Sequence, residues 1–314
     1  MRVVGQNDKR GAVGGKRWAT GRKRIGLAGL ALAALAAGCG QGAATEVEGA
    51  GGQQPLNAPP ARALDSYADK LRARHAARAA AARSWGLKRV PLTAPAPPAR
   101  KPTITTRKGF EVDGHRRLGL PPVFTTVPTR QKVVFLTIDD GAEKDPEFLR
   151  MMKELRIPYT AFLSDYVVKD DYAYFAKMQD QGVGLHNHTL HHPYLPKLSY
   201  AQQKREICGM QRVIEKRYGE RPVLFRPPFG NYNKDTLRVA KSCGITHVPL
   251  WNEEVFADRW DYREWDRRLR PGDIVLSHFR GQDDWKGTMP DMIRRFLDKV
   301  TAEGYAVGRL EDYL

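Results

Sequence analysis

The chain has 314 residues, with 52 Lys plus Arg against 35 Asp plus Glu and a formal charge of +17. A hydrophobic content of 41% with 12 Tyr, 11 Phe and 6 Trp excludes wholesale disorder, and the length admits one large domain or two ordinary ones. The charge would point to nucleic acid only if it lay on the folded part, but it divides as +7 over residues 1–38, +6 over 39–106 and +4 over 107–314.

The first segment reads as an address. Eight basic residues from Arg2 to Arg24 precede the small and apolar run Ile25 to Gly38. That is the layout of a secretory signal, and the run is too short to span a bilayer comfortably. It closes on Leu35-Ala36-Ala37-Gly38-Cys39, which resembles a bacterial lipobox, although Leu35 lies four residues before the Cys rather than the usual three. The resemblance implies that Cys39 is lipidated and anchors the protein on the outer face of the membrane. Ordinary secretion after cleavage near Ala37 is the alternative. Outside the cytoplasm, Cys208 and Cys243 meet an oxidising environment, so they either form a disulfide or remain two independent buried thiols.

Residues 39–106 are rich in Ala, Gly, Pro and Gln, and Pro95-Ala96-Pro97-Pro98 marks extended chain. Within this stretch, Arg62 to Trp85 is Ala- and Arg-rich and reads as an exposed helix. The segment is expected to be a linker between an anchor and a catalytic body. Its basic residues are either a solvated face or a contact for anionic lipid or acidic wall polymers.

Residues 107–314 alternate between strand and helix patterns. Val133-Val134-Phe135-Leu136 is a buried strand by composition, and Asp145-Pro146 then supplies a helix cap and a first-turn Pro. Further strands are expected to begin near Tyr159, Val183, Val223, Ile245, Ile274 and Tyr305. Helices are expected over roughly 172–181, 199–218, 233–243, 261–270 and 290–303. Ser199 with Gln202 makes a capping box, and Gly219, Gly244 and Gly304 stand where helix ends need a left-handed residue. About seven strands alternating with six helices indicate a parallel sheet or barrel, whose chemistry lies at strand C-terminal ends.

Those ends carry the informative residues. Thr137-Ile138-Asp139-Asp140-Gly141 follows the first strand, and adjacent carboxylates there need a cation or other compensation unless they simply cap a turn. His186, His188, His191 and His192 place four of the chain's eight histidines within seven residues. His188 and His192 are four apart, which on a helical turn puts both imidazoles on one side and suits a divalent metal. Arg226-Pro227-Pro228-Phe229-Gly230 is a rigid loop after the fourth strand, and Leu276-Ser277-His278 closes the sixth.

Taken in order, Thr-Ile-Asp-Asp-Gly, His-Thr-x-x-His-Pro, Arg-Pro-Pro-Phe-Gly and Leu-Ser-His are similar to the motifs of the polysaccharide deacetylases of carbohydrate esterase family 4, the NodB-homology domain. The similarity covers about residues 130–314. It implies a distorted, incomplete (β/α)7-type barrel, in agreement with the strand count. It implies Asp139 as general base and Asp140, His188 and His192 as ligands of a divalent metal, usually Zn²⁺, with Co²⁺ another candidate. Arg226 would orient Asp139, the Phe229 backbone N–H would hold the oxyanion, His278 would be the general acid, and Leu276 would line the acetyl pocket. The motif that buttresses the acid His is blurred: Asp258 is favoured over Asp261, and Trp260 is the pocket Trp, with Trp251 nearby. Other departures are Ala142 where Pro is usual, Phe279 where a polar residue is common, and His186 and His191 as structural or alternative ligands. The expected organisation is therefore a leader (1–38), a linker (39–106) and a catalytic domain (107–314).

The expected function is metal-dependent deacetylation of N-acetylated sugars in a cell-envelope polymer, peptidoglycan or a related GlcNAc polymer. O-acetylated xylan or another glycan is the first alternative, and a non-catalytic glycan- or zinc-binding lipoprotein the second. No aromatic-basic or zinc-finger pattern points to a nucleic-acid partner.

Overall fold

The computed structural model describes residues 61–314, so the leader, the lipobox and Cys39 lie outside the described residues. In chain order the elements are α1 (Ala61–Ser84), β1 (Val123–Phe124), β2 (Val133–Asp140), α2 (Pro146–Leu155), β3 (Thr160–Leu163), α3 (Asp165–Val168), α4 (Tyr172–Gln179), β4 (Gly184–Asn187), α5 (Tyr200–Tyr218), α6 (Lys234–Ser242), β5 (Val248–Pro249), β6 (Glu253–Val255), β7 (Trp260–Tyr262), β8 (Ile274–His278), α7 (Met289–Ala302) and β9 (Ala306–Gly308). Among the described residues no helix is long and apolar enough to cross a membrane.

The order across the main sheet is β4-β3-β2-β8-β6-β7, and β9 pairs the first half of β2. All pairs are parallel except β6 with β7. Single bridges from Asn187 to Phe225 and from Leu224 to His247, with the β1–β5 pair, carry the sheet round towards β8. The result is the expected distorted, incomplete barrel.

Strand alternation sorts the core into an inside and an outside. Val133 and Phe135 of β2 pack with Phe124, Phe162, Leu224 and Ile274 inside the barrel. Val134, Leu136 and Ile138 point outward to Phe148 and Met152 of α2 and to Ile293 and Phe296 of α7. Thr137 and Asp139 continue the inward file. Helix starts follow the sequence signals: Asp145 accepts from the Glu147 and Phe148 amides, and Ser199 with Gln202 closes a reciprocal capping box. Gly219 ends α5 in the left-handed region at φ 77°.

Two expectations change. The helix expected over 261–270 is instead β7 and a turn, because Trp260 and Tyr262 alternate with exposed Asp261 at the strand period. The strand expected at Val223 contributes only the single bridges of Leu224 and Phe225. Leu64–Leu314 form one compact unit. Ala82, Trp85 and Leu87 join the outer core, Trp85 Nε1 donates to Glu154 at 2.7 Å, and Arg150 stacks on the indole. A lone Trp just past the end of a polar helix carries no periodicity, so its docking could not be read locally.

Cys208 on α5 and Cys243 at the end of α6 are joined as a disulfide across a Cα separation of 5.2 Å.

Candidate active site

Four strand ends converge where the strands leave the barrel. β2 delivers Asp139 and Asp140, both 2% exposed. Gly141 follows at φ 97°, and a Cβ there would meet Val168 Cγ1 at 2.4 Å, so the turn admits no side chain. Ala142 replaces the usual Pro, yet the loop is tied down: Lys144 Nζ donates to the Ala142 and Val167 carbonyls, and Glu143 N donates to Phe279 O.

The two histidines reach the site from a loop after β4, not from the helical turn their spacing suggested. Thr189 and His192 adopt left-handed backbone at φ 74° and 55°, and Asp140 and Phe229 do so at 76° and 61°. Non-Gly residues rarely take that region, and several of them around one site are the pattern of a functional constraint. The loop is pinned by Asn187, whose Oδ1 accepts from Thr189 N, and by Thr189 Oγ1, which accepts from His192 N. The imidazoles meet with centroids 4.8 Å apart.

Asp140 Oδ1 lies 3.6 Å from His188 Nε2 and 3.5 Å from His192 Nε2. The three potential ligand atoms fall within 4.8 Å of one another. His188 Nδ1 donates to the Arg226 carbonyl at 2.7 Å, which fixes the tautomer and turns the Nε2 lone pair towards Asp140. Burial lowers both imidazoles to about 4, with the neighbouring His188 adding to the effect at His192. Burial works to raise Asp140, but His188, His278, His192 and Arg280 outweigh it and hold the carboxyl low. A carboxylate beside two neutral imidazoles is a suitable donor set for a divalent cation, and buried Asp140 Oδ1 has no hydrogen-bond partner among the described residues.

Asp139 belongs to a second arrangement. Its Oδ1 accepts from Arg226 Nη1 at 2.7 Å, and its Oδ2 faces His188 Nε2 at 3.6 Å. Burial raises this carboxyl to about 6 against the pull of Arg226 and His278. Arg226 is fully buried, lies over the Phe162 ring at 4.4 Å, and donates through Nε to Pro249 O and through Nη1 to Thr137 Oγ1. β8 registers His278 opposite Asp139 and Leu276 opposite Thr137. Leu276 is buried and belongs to the inward file of Ile274 and His278.

The partner of His278 corrects the sequence reading. Glu254 Oε1 lies 3.3 Å from His278 Nδ1, whereas Asp258 pairs with Arg259 on the surface and Asp261 does likewise. Burial opposes the charged form of His278, but the Glu254 hydrogen bond with Asp140 and Asp139 raises its pKa overall. Trp260 is also displaced: it stacks on Tyr262 and Phe296 at the α7 face. Trp251 stands at the site instead, with its ring 5.7 Å from Arg226 Cζ and packed against Gly230. Phe279 is core, edge-on to Phe148 and Phe175.

His186 and His191 are not ligands in this arrangement. His186 bonds Glu311 at 3.0 Å one layer below the site, where Gly184 leaves the space that Glu311 fills. His191 is exposed and bonds Glu206. Phe229 is exposed beside His192, with ring centroids 4.6 Å apart. Arg280, which no motif marked, donates to Asp140 Oδ2 at 2.8 Å and leaves Oδ1 for the two imidazoles.

Residues 126–248 match the family described as polysaccharide deacetylase. An uncharacterized protein of Streptomyces coelicolor is 43% identical over 203 residues, covering 64% of this chain and 81% of its own length. The chitooligosaccharide deacetylase of Sinorhizobium fredii is 30% identical over 171 residues, or 49% of this chain and 76% of that protein. The peptidoglycan-N-acetylglucosamine deacetylase of Bacillus cereus is 26% identical over 195 residues, or 57% and 86%. Among solved structures, a family 4 carbohydrate esterase from Bacillus anthracis shares the fold with a TM-score of 0.53 at 24% identity, covering 71% of this chain and 98% of that one. The chain belongs to the polysaccharide deacetylase family, hydrolases that act on the amide bonds of acetylated sugars.

Proposed function

We propose that the protein removes N-acetyl groups from sugars of a cell-envelope polymer, peptidoglycan or a related GlcNAc polymer, in a divalent-cation-dependent reaction. The observation that carries this reading is the juxtaposition of the Asp140–His188–His192 cluster with the Asp139–Arg226 pair, with His278 in register across β8. Relatives named for peptidoglycan and chitooligosaccharide deacetylation support the sugar class. Zn²⁺ is the cation that best suits one carboxylate and two imidazoles.

A cation held by these three residues would polarise the acetyl carbonyl and make a neighbouring water more acidic. Asp139, oriented through Oδ1 by Arg226, takes the proton of the attacking water at Oδ2. The backbone N–H of Phe229 is the donor assigned to the developing oxyanion. His278, held through Nδ1 by Glu254, presents Nε2 to the leaving amine and delivers its proton. Leu276 receives the acetyl methyl. The export leader and the lipid anchor at Cys39 are part of the same proposal, since they would deliver the enzyme to such a polymer.

Acetate release by the full chain tests the reading on peptidoglycan glycan strands, N-acetylglucosamine oligomers and acetylated xylan. Release from the first two is expected to stop on chelation and return with zinc. Release that survives complete metal removal overturns the mechanism, and release from xylan alone transfers the protein to the O-acetyl class.

A further inference from the structure

Opposite the site, where β3 and β4 begin, the structure contains a half-open cavity of ≈ 1540 Å³. One part of its lining is α1 with residues 93–97, and another is α2, the end of α4 and the residues that lead into β3 and β4. Arg74 and Arg78 come from α1, Lys153 and Arg156 from the end of α2, and Lys177 from α4. Among the described residues none of these five has a carboxylate partner. Arg150 and Arg309, also on the lining, are paired with Glu147, Glu154, Glu311 and Asp312. The acidic side chains of the lining are Asp180 and Asp312, the latter bound to Arg309.

Helix dipoles explain part of this charge. Lys153 and Arg156 lie at the C-terminal end of α2, where a cation is favoured. That does not account for Arg78, which α1 brings within electrostatic reach of Arg156. Burial and the Arg156 charge both disfavour the charged form of Arg78. Arg78 donates to Thr93 Oγ1 at 2.9 Å and to the Leu92 carbonyl, while its Nε is buried without a partner. The hydroxyl of Tyr159, another lining residue, is buried and unpartnered as well. Arg78 and Arg156, like charges brought together from separate helices over one concavity, repel each other at a cost that a bound anion would return.

We propose that this cavity binds a phosphodiester-linked polyanion, a second site unrelated to the acetyl chemistry and independent of the deacetylase reading. Its volume exceeds the roughly 300–1,000 Å³ usual for a small-molecule pocket, and the cations are spread over three helices, so the fit is to a chain of charges. Arginine forks suit the tetrahedral phosphate group. The lining is concave, with Met152, Tyr159 and Val183 among the residues that form it, whereas a bilayer presents its phosphates in a plane.

Binding of the full chain to a fluorescent glycerol-phosphate oligomer, read by anisotropy, tests the proposal. Arg78→Glu with Arg156→Glu is expected to weaken binding by about tenfold or more. The slope of log affinity against log salt should fall by about 1 for each phosphate that no longer meets a cation. Lys204→Glu with Arg212→Glu makes the same charge change on exposed positions of α5 that do not line the cavity, and should leave binding intact. Acetate release should be unchanged in both double variants. If the first pair does not fold, Lys153→Glu with Lys177→Glu makes the comparison from exposed lining positions. Equal losses in the cavity and α5 variants would reduce the effect to net charge and overturn the proposal. Absence of oligomer binding overturns it too, as does binding only to phosphatidylglycerol vesicles, which would make this face a membrane contact. Inorganic phosphate that competes as well as the oligomer at equal phosphate would restrict the site to single ions and reject the polymer.

Discussion

At the upper end of the barrel, where the strands leave, buried charge is balanced side chain by side chain. Arg226 answers Asp139, Arg280 takes one oxygen of Asp140, and Glu254 holds His278. What is left over there is one carboxylate oxygen facing two neutral imidazoles, a remainder that calls for a cation. At the end where the strands enter, Arg78 lies within electrostatic reach of Arg156, and Arg74, Lys153 and Lys177 line the cavity without a carboxylate partner among the described residues, a remainder of the opposite sign. The uncompensated charge of each site is what marks it, since the total of +17 pointed to neither end.

The contrast can be broken most sharply at Asp139. If the upper end works by proton transfer, Asp139→Asn should lower kcat by about 10²–10⁴-fold while zinc content, measured by metal analysis, stays near that of the parent. Loss of zinc together with activity would merge the two upper arrangements into one. Glu254→Gln comes next, with an expected fall in kcat of about 10–100-fold, the usual scale for a residue that orients a functional imidazole. Asp258→Asn at the surface should change nothing, and a reversal of these two effects would restore the sequence reading.

Trp85→Ala probes the other end. It deletes an indole from the core and its bond to Glu154, for an expected loss of about 3–5 kcal/mol in denaturant unfolding. Turnover per folded molecule should be unchanged, because the chemistry lies across the barrel. A pH-dependent effect is expected at Glu253, whose carboxyl burial and Asp273 push up to about 9 from 4.5. The folded chain then keeps a proton that the unfolded chain releases above about pH 4.5. Stability is therefore fully present below that value and falls as pH rises towards 9, by at most about 1.4 kcal/mol per pH unit. Glu253→Gln should flatten this slope in melts recorded across that range.

Much of the upper end was legible because its residues follow apolar strands within short motifs. Asp139, Asp140, His188, His192, Arg226 and His278 converge as the order of the motifs implied. Glu254 and Arg280 depend on tertiary pairing that no local motif carries. Glu254 lies on a three-residue strand whose neighbour is β8, and the nearby Asp258 offered a more familiar residue type. Arg280 reaches Asp140 across a separation of 140 residues. The segment from Leu64 to Thr106 was illegible for a different reason: its composition is that of solvated chain, and its few docking residues, Trp85 above all, act only when a preformed surface receives them.

Arg226 has a consequence of its own. Its carbonyl oxygen holds His188 Nδ1, while its guanidinium holds Asp139, so one amino acid spans both halves of the proposed chemistry. The separation of the imidazole and the carboxylate is thereby gauged by the covalent length of a single residue. Breathing of the strands that displaces residue 226 carries both partners along, and an error that would have opened a gap becomes a shared translation. In a reaction sensitive to about 1 Å, such common-mode motion lets the barrel flex without losing alignment.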